Sequence, residues 1–230
     1  MIKKGDFIEL DYVGRVKETG DIFDITNVDA AKKYHVHNPR AQYGSRIICV
    51  GENALVRGVD AFLEGKECKE YTLTLSAKDA FGKKDAKLLK LVPASAFKKQ
   101  NIRPVPGLQI DVDGYMGTVR SVSGGRIIID FNHPLAGRNV IYELSIKRII
   151  TDDQEKLQSL VTLFFGRTCT FTFDHGNVTL PLALPEELTK PVVTTIHRLI
   201  PGIREIHFQQ PPAGKKAVPE APSNKTGTQA

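Results

Sequence analysis

The sequence predicts an α+β fold: an antiparallel half-barrel wrapped around one short helix, with an inserted β-rich subdomain and a small α/β C-terminal domain. Three observations carry this prediction. Side chains alternate with a period of two in Phe7 to Val13, Tyr71 to Leu75 and Asn139 to Ser145, the pattern of a strand with one buried face. A single short stretch between them, Leu55 to Leu63, sets Leu55, Val59, Phe62 and Leu63 at the spacing of an amphipathic helix. The texture then changes at Lys83, where lysines precede a run of short strands, and again at Thr151-Asp152-Asp153, a linker and helix N-cap signal.

The elements follow in order. Ile2 to Val16 reads as the first strand, and Thr19-Gly20-Asp21 as its turn. Ile22 to Thr26 is a short strand in which Asp24 directly follows Phe23. Taken alone, Asp24 is either a capping residue for a helical Asp29 to Lys33 or a polar group at the rim of an apolar pocket. Asn27 to Gly44 is a polar loop; its His35 and His37 have the spacing of two metal ligands on a strand but lack a third nearby. Arg46 to Val50 is a strand, and Gly65 closes the helix that ends near Leu63. After Tyr71 to Leu75 comes the exit loop Asp79-Ala80-Phe81-Gly82.

Residues 85–129 form the insert. Leu88 to Pro93 leads into a short helix, Ala94 to Gln100, and strands follow at Leu108 to Val112, Tyr115 to Val122 and Arg126 to Asp130. Asp113-Gly114 and Gly124-Gly125 are the hairpin turns. So small a unit has little core of its own, so apolar side chains should stay available on one face. Residues 130–151 return to the first domain, completing residues 1–84. Residues 152–210 read as α-β-β-α-β: a helix carrying Leu157, Leu160, Val161 and Phe164, a hairpin of Thr168 to Phe173 with Val178 to Leu182, a helix from Glu186 to Leu199 broken at Pro191, and a strand from Ile203 to Phe208. Residues 211–230, rich in Pro, Ala, Lys and Ser, form a disordered tail.

Bulk properties narrow the function classes. No apolar run approaches the roughly 20 residues of a membrane helix, and MIKKGDFIEL lacks the apolar segment of a signal peptide. The three cysteines (Cys49, Cys68, Cys169) are odd in number and widely spaced, and read as buried thiols, with Cys49 and Cys68 in strands or at their ends. A cytoplasmic setting is the expectation. The net charge of +6 is spread over scattered lysines and the tail, without a basic stripe interleaved with aromatics, so nucleic-acid binding is not indicated. There is no GxSxG elbow, P-loop or HExxH, and no cysteine–histidine spacing marks a nucleophile. No metal and no cofactor is expected.

The centre of the chain is Ile127 to Ile146, IIIDFNHPLAGRNVIYELSI. Pro134 forbids a ladder hydrogen bond, so Asn132 to Gly137 is a loop between two strands, and Leu135 and Ala136 make it an apolar loop at a sheet edge. NHPLAG, with AFG at Ala80 to Gly82 and ALVRGVDAFLEGKE at Ala54 to Glu67, resembles the FKBP-type peptidyl-prolyl isomerases of the SlyD-like kind, in a long archaeal-type form with an extra C-terminal domain. The resemblance spans roughly residues 1–150.

The resemblance implies a pocket between helix and sheet made of Tyr12, Phe23, Asp24, Leu55, Val56, Val59, Phe81, Leu135 at the flap tip, and Tyr142. Taken singly, each of these is an ordinary core residue; the ordered set makes the site. Two positions depart from the family pattern: Phe81 lacks the hydroxyl of the usual tyrosine, and Tyr142 adds a hydroxyl where phenylalanine is usual. The resemblance also implies that the insert is a chaperone module, with Leu88, Leu91, Val92, Phe97, Val105, Leu108, Ile110 and Met116 as its apolar lining or, for about half of them, its core. The tail holds no histidine or cysteine, so the metal delivery of bacterial relatives is not implied. The expected partners are unfolded, proline-containing polypeptides rather than membrane. Two rival readings are a non-catalytic holdase and a ribosome- or nucleic-acid-associated protein acting through its C-terminal domain.

Overall fold

The computed structural model describes residues 1–166 and 169–209, except for the side chains of Lys99 and Glu186. The tail expected over 211–230, and Thr168 at the start of an expected strand, lie outside the described residues. After Thr151 the chain divides into two compact units.

The first unit opens with β1 (Phe7–Val16), β2 (Ile22–Ile25), α1 (Val28–Lys33), β3 (Arg46–Cys49), α2 (Arg57–Leu63) and β4 (Glu70–Leu75). It continues through β5 (Leu89–Pro93), α3 (Ala94–Lys99), β6 (Gln109–Val112), β7 (Tyr115–Ser123) and β8 (Arg126–Asp130), and closes with β9 (Val140–Ile150).

Five of these strands make one antiparallel sheet in the order β2-β1-β9-β4, with β3 also on β1. The ten residues of β1 pair with β9 along one edge, from Phe7↔Ile150 to Val16↔Val140. Its other edge is long enough to be shared, by β3 near Phe7 to Leu10 and by β2 near Val13 to Arg15. Strict alternation in β9 turns Val140, Tyr142, Leu144 and Ile146 into the core and Ile141, Glu143 and Ser145 away from it. α2 lies on that core, with Val59 and Leu63 fully buried against Leu10, Tyr12, Leu75 and Tyr142. Close contact here requires a glycine: a Cβ on Gly58 would stand 2.5 Å from Leu75 Cδ2 and 2.9 Å from the Asp79 carbonyl. The Gly58 N–H donates to that carbonyl at 2.7 Å, tying α2 to the loop that carries Phe81.

A second antiparallel sheet, in the order β5-β8-β7-β6, holds the stretch between β4 and β9. Its core is small: Phe97 of α3 with Val119, Ile127 and Ile129, flanked by Val92, Leu108, Ile110 and Phe131. The strands entering and leaving it are laced together. Asp85 N–H donates to Asn132 Oδ1 at 2.8 Å, Asn132 Nδ2 to the Asp85 carbonyl at 3.0 Å, and Lys84 Nζ bonds Asp130 Oδ2 at 2.8 Å.

The second unit begins with α4 (Asp153–Phe165), capped by Asp152, whose Oδ2 accepts the Glu155 N–H at 2.8 Å. β10 (Thr172–Asp174), β11 (Asn177–Leu180), α5 (Glu186–Leu199) and β12 (Glu205–Phe208) follow. β11 pairs antiparallel with β10 and parallel with β12, and α5 is the crossover that a parallel pair needs. No helix among the described residues is long and apolar enough to cross a membrane.

Several expectations need correction. The first strand starts at Phe7, not Ile2. Ile2 is buried by a separate route, its N–H donating to the Lys66 carbonyl and its own carbonyl accepting from Gly65. The helix starts at Arg57, so Leu55 and Val56 are not its first turn: Val56 is an N-cap in extended conformation, without a side-chain cap. Pro191 does not break α5: one interior N–H is lost, but the helix runs on to Leu199, whose neighbours Ile196 and Ile200 are fully buried. Phe164 stays 37% exposed, because Leu157, Leu160 and Val161 define the buried stripe of α4. Cys68 is exposed and precedes β4 rather than lying in a strand, whereas Cys49 is buried in β3. In Asn132 to Gly137, Ala136 is buried and Leu135 half-buried, so this apolar loop turns inward instead of facing solvent.

Candidate active site

The alternation of β1 and β9 sends Tyr12 and Tyr142 to the same side of the sheet, where their ring centroids lie 6.0 Å apart. β2 adds Phe23 edge-on to Tyr142 at 5.7 Å, and the loop after β4 adds Phe81 edge-on to Phe23 at 5.4 Å. Edge-to-face contacts at these distances are favourable and fix each ring against the next. Gly14 makes the arrangement possible, since a Cβ there would lie 2.7 Å from Phe23 and 3.2 Å from Tyr142. Leu55 and Val56 pack against the same cluster from the segment ahead of α2, and Val59 closes it from inside the helix.

One carboxylate joins this apolar wall. Tyr12 donates its hydroxyl to Asp24 Oδ2 at 2.8 Å, and the Arg46 guanidinium lies 5.9 Å from the Tyr12 ring. Burial, and then the Asp24 carboxylate, push the Tyr12 phenol far above its ordinary value, and the same two causes raise Tyr142. Both phenols therefore stay protonated at neutral pH and serve as donors rather than bases. The site offers shape, rings and one polar pair.

Of the nine residues expected at the pocket, eight meet in this arrangement, Asp24 through its bond to Tyr12. Leu135 does not. Its loop reaches the cluster through another residue, His133, whose ring stacks on Phe81 at 4.8 Å and 5°. Two grooves border this arrangement. One, of about 400 Å³, is lined by Asp11, Tyr12, Asn27, Tyr71, Glu143 and Ser145, a mixture of polar and apolar groups along the same strands. The other, of about 370 Å³, runs between β7, β8 and the Asn132–Pro134 loop. Among the described residues no group of three or more His, Cys, Asp or Glu side chains is placed to hold a metal, and His37 stacks on Tyr43 instead.

With this geometry in view, the chain can be compared with known proteins. A family model described as "FKBP26, IF domain" matches residues 90–135. A short-type peptidyl-prolyl cis-trans isomerase of Methanocaldococcus jannaschii is 26% identical over 156 residues, covering 67% of this chain and 98% of that protein. A protein named "Probable FKBP-type 16 kDa peptidyl-prolyl cis-trans isomerase" from Pseudomonas fluorescens is 31% identical over 103 residues, 42% of this chain and 67% of that protein. The FKBP-type isomerase SlyD of Vibrio cholerae is 28% identical over 144 residues, 60% of this chain and 64% of that protein. The chain belongs to the FKBP-type peptidyl-prolyl cis-trans isomerases.

In this FKBP-type chain the four-stranded sheet and its helix α3 separate their apolar residues into two sets. Phe97 is buried, and Val92, Leu108 and Ile110 pack on the same small core, so these four are not an accessible face. Leu88, Leu91, Val105 and Met116 are exposed, Leu91 by 60% and Met116 by 59%. Sequence reasoning missed the exposed Val112, Tyr115 and Val122. Tyr115 and Met116 follow the Asp113-Gly114 turn directly, and an aromatic and a methionine at a hairpin tip, far from the core side of either strand, would have signalled exposure. It also missed His133, Gly14 and Arg46; NHPLAG contained the first, but nothing local tied it to Phe81.

Proposed function

We propose that this FKBP-type chain accelerates cis/trans isomerisation of Xaa-Pro bonds in unfolded and folding polypeptides, and that Tyr12, Phe23, Asp24, Leu55, Val56, Val59, Phe81, Leu135 and Tyr142 form or flank the pocket that does so. The barrier to rotation, about 18–20 kcal/mol, comes from the partial double bond of the amide. Water stabilises the planar, charge-separated amide by hydrogen-bonding its carbonyl. A wall of rings removes that water and so favours the twisted amide. The observation that carries this reading is the unbroken contact of Tyr12, Tyr142, Phe23 and Phe81, with the Asp24 carboxylate held by a phenol. Such a site needs no nucleophile, and its mechanism invokes no metal or cofactor.

The insert, taken as 85–129 within an isomerase domain of 1–84 and 130–151, is proposed to hold unfolded chain through Leu88, Leu91, Val105, Val112, Tyr115 and Met116. Exposed apolar side chains concentrated on so small a sheet support this. Residues 152–210 are proposed as a separate C-terminal domain, and a reducing cytoplasm suits a chain with three scattered cysteines. The test is a protease-free exchange assay on an Xaa-Pro tetrapeptide. Acceleration at catalytic protein concentration, unchanged by EDTA, is expected. A folded protein without acceleration would leave the holding function alone.

A further inference from the structure

We infer that the groove between β7, β8 and the Asn132–Pro134 loop receives a carboxylate of the substrate chain, so that Xaa-Pro segments flanked by aspartate or glutamate are favoured. This deepens the isomerase reading above and rests on it. The charges lining the groove are layered. Asp130 lies inward, its side chain 12% exposed. Its Oδ1 accepts the Asn132 N–H and side-chain amide, and its Oδ2 accepts from Lys84 at 2.8 Å and Arg120 at 3.4 Å. The two cations lie outward, 45% and 54% exposed. One carboxylate between two cations leaves a positive charge over, and an ammonium and a guanidinium that share a single oxygen keep most of their N–H donors. A group arriving from solvent therefore meets donors and positive charge before it meets Asp130.

The groove opens onto a face that an extended chain can follow. Thr118 pairs with Asp130, Ser121 with Ile128, and Ile128 with Leu91. Residues two apart on a strand share a face, so Asp130, Ile128, Leu91 and Met116 lie on the side of the sheet away from the core made by Ile127, Ile129 and Phe97. Leu91 and Met116 are exposed there. Between 85 and 129 seven lysines and arginines stand against three aspartates and no glutamate, a surplus of four positive charges. A basic strip with apolar side chains, ending in a groove with donors to spare, matches a chain that is both apolar and acidic. Nucleic acid, the other polyanion, is less well matched: no Phe, Tyr or Trp lines the groove to stack a base.

The experiment uses the full chain and two Xaa-Pro peptides of about twelve residues, long enough to span pocket and groove, alike except that one carries glutamates and the other glutamines on both flanks of the proline. The glutamate peptide should have the higher kcat/KM by about two- to fivefold at low salt, the scale of one exposed ion pair, with the difference in KM rather than kcat. Arg120→Gln should bring the ratio near one, Arg120→Glu should invert it, and added salt should erase it in the wild type. Fluorescence anisotropy of the labelled peptides, which needs no turnover, should give the same order of affinities. Equal wild-type values for the two peptides, an unchanged ratio in Arg120→Gln, or stronger competition by an oligouridylate than by oligoglutamate of equal length would overturn the assignment. A wild type that binds the glutamate peptide more tightly yet accelerates neither would overturn the isomerase reading instead.

Discussion

The five-stranded sheet, proposed as the half-barrel, and the four-stranded sheet, proposed as the insert, are both antiparallel and each packs a short helix on its core, yet they use their apolar residues in opposite ways. In the half-barrel thirteen buried residues form one cluster, and the partly buried rings Phe23 and Phe81 continue it outward as a wall. In the insert only Phe97, Val119, Ile127 and Ile129 are buried in the core, while Leu91, Val105, Tyr115 and Met116 face solvent. Size explains the difference: a short four-stranded sheet under a six-residue helix has little interior to offer. A deep core can hold rings in fixed mutual geometry, which a selective pocket requires. A shallow one leaves adaptable side chains exposed, which suits loose capture of varied chains.

The sharpest way to break this comparison is to remove one side of it. Replacing 85–129 with a short loop should leave the half-barrel folded, because Lys84 and Asp130 are already joined and a loop closes there at low entropic cost. Activity on a tetrapeptide should persist, while catalysed refolding of a proline-limited protein should drop by about 100-fold, the scale of a lost second binding site. Equal loss on both substrates would merge the two regions into one site.

Tyr142→Ala acts on the other side. Emptying this buried ring should cost about 3–5 kcal/mol, read in a denaturant titration of the first unit, and abolish tetrapeptide turnover. Gly14→Ala should cost less, about 1–3 kcal/mol for overpacking, with a disproportionate loss of activity because its new methyl group displaces Phe23. The smallest effect concerns the joint between the regions. Burial opposes ionisation of Asp130, but the Lys84 and Asn132 hydrogen bonds prevail and hold its carboxyl down at about 2. A folded value below the unfolded one, about 3.9, gives stability that is full above that value and lost as pH falls towards 2. The difference in thermal stability between wild type and Asp130→Asn should therefore shrink over that window and be constant above about pH 5.

How much of this was legible depends on range. Strict alternation in β1, β4 and β9 is a local signal, and it was enough to assign the three strands; that Tyr12 and Tyr142 come together was implied only by the family resemblance. The start of α2 was misplaced by two residues because Val56 caps it without a side-chain acceptor, leaving no polar signature to read. In the insert, alternation could not tell Ile110 from Met116, since what separates them is the side on which α3 lies. The stack of His133 on Phe81 was out of reach for a plainer reason: two loops some fifty residues apart meet only through the pairing of β4 with β9 and the Gly137–Gly82 bond.

The contrast between the two regions is tested most directly by mapping ligands on the labelled full chain by NMR. An Xaa-Pro tetrapeptide should shift ring resonances of Phe23, Phe81 and Tyr142 and leave the methyl groups of Leu91, Val112 and Met116 in place. A permanently unfolded, proline-free polypeptide should do the reverse. A tetrapeptide that moves Leu91 and Met116 while the three rings stay still would contradict the account.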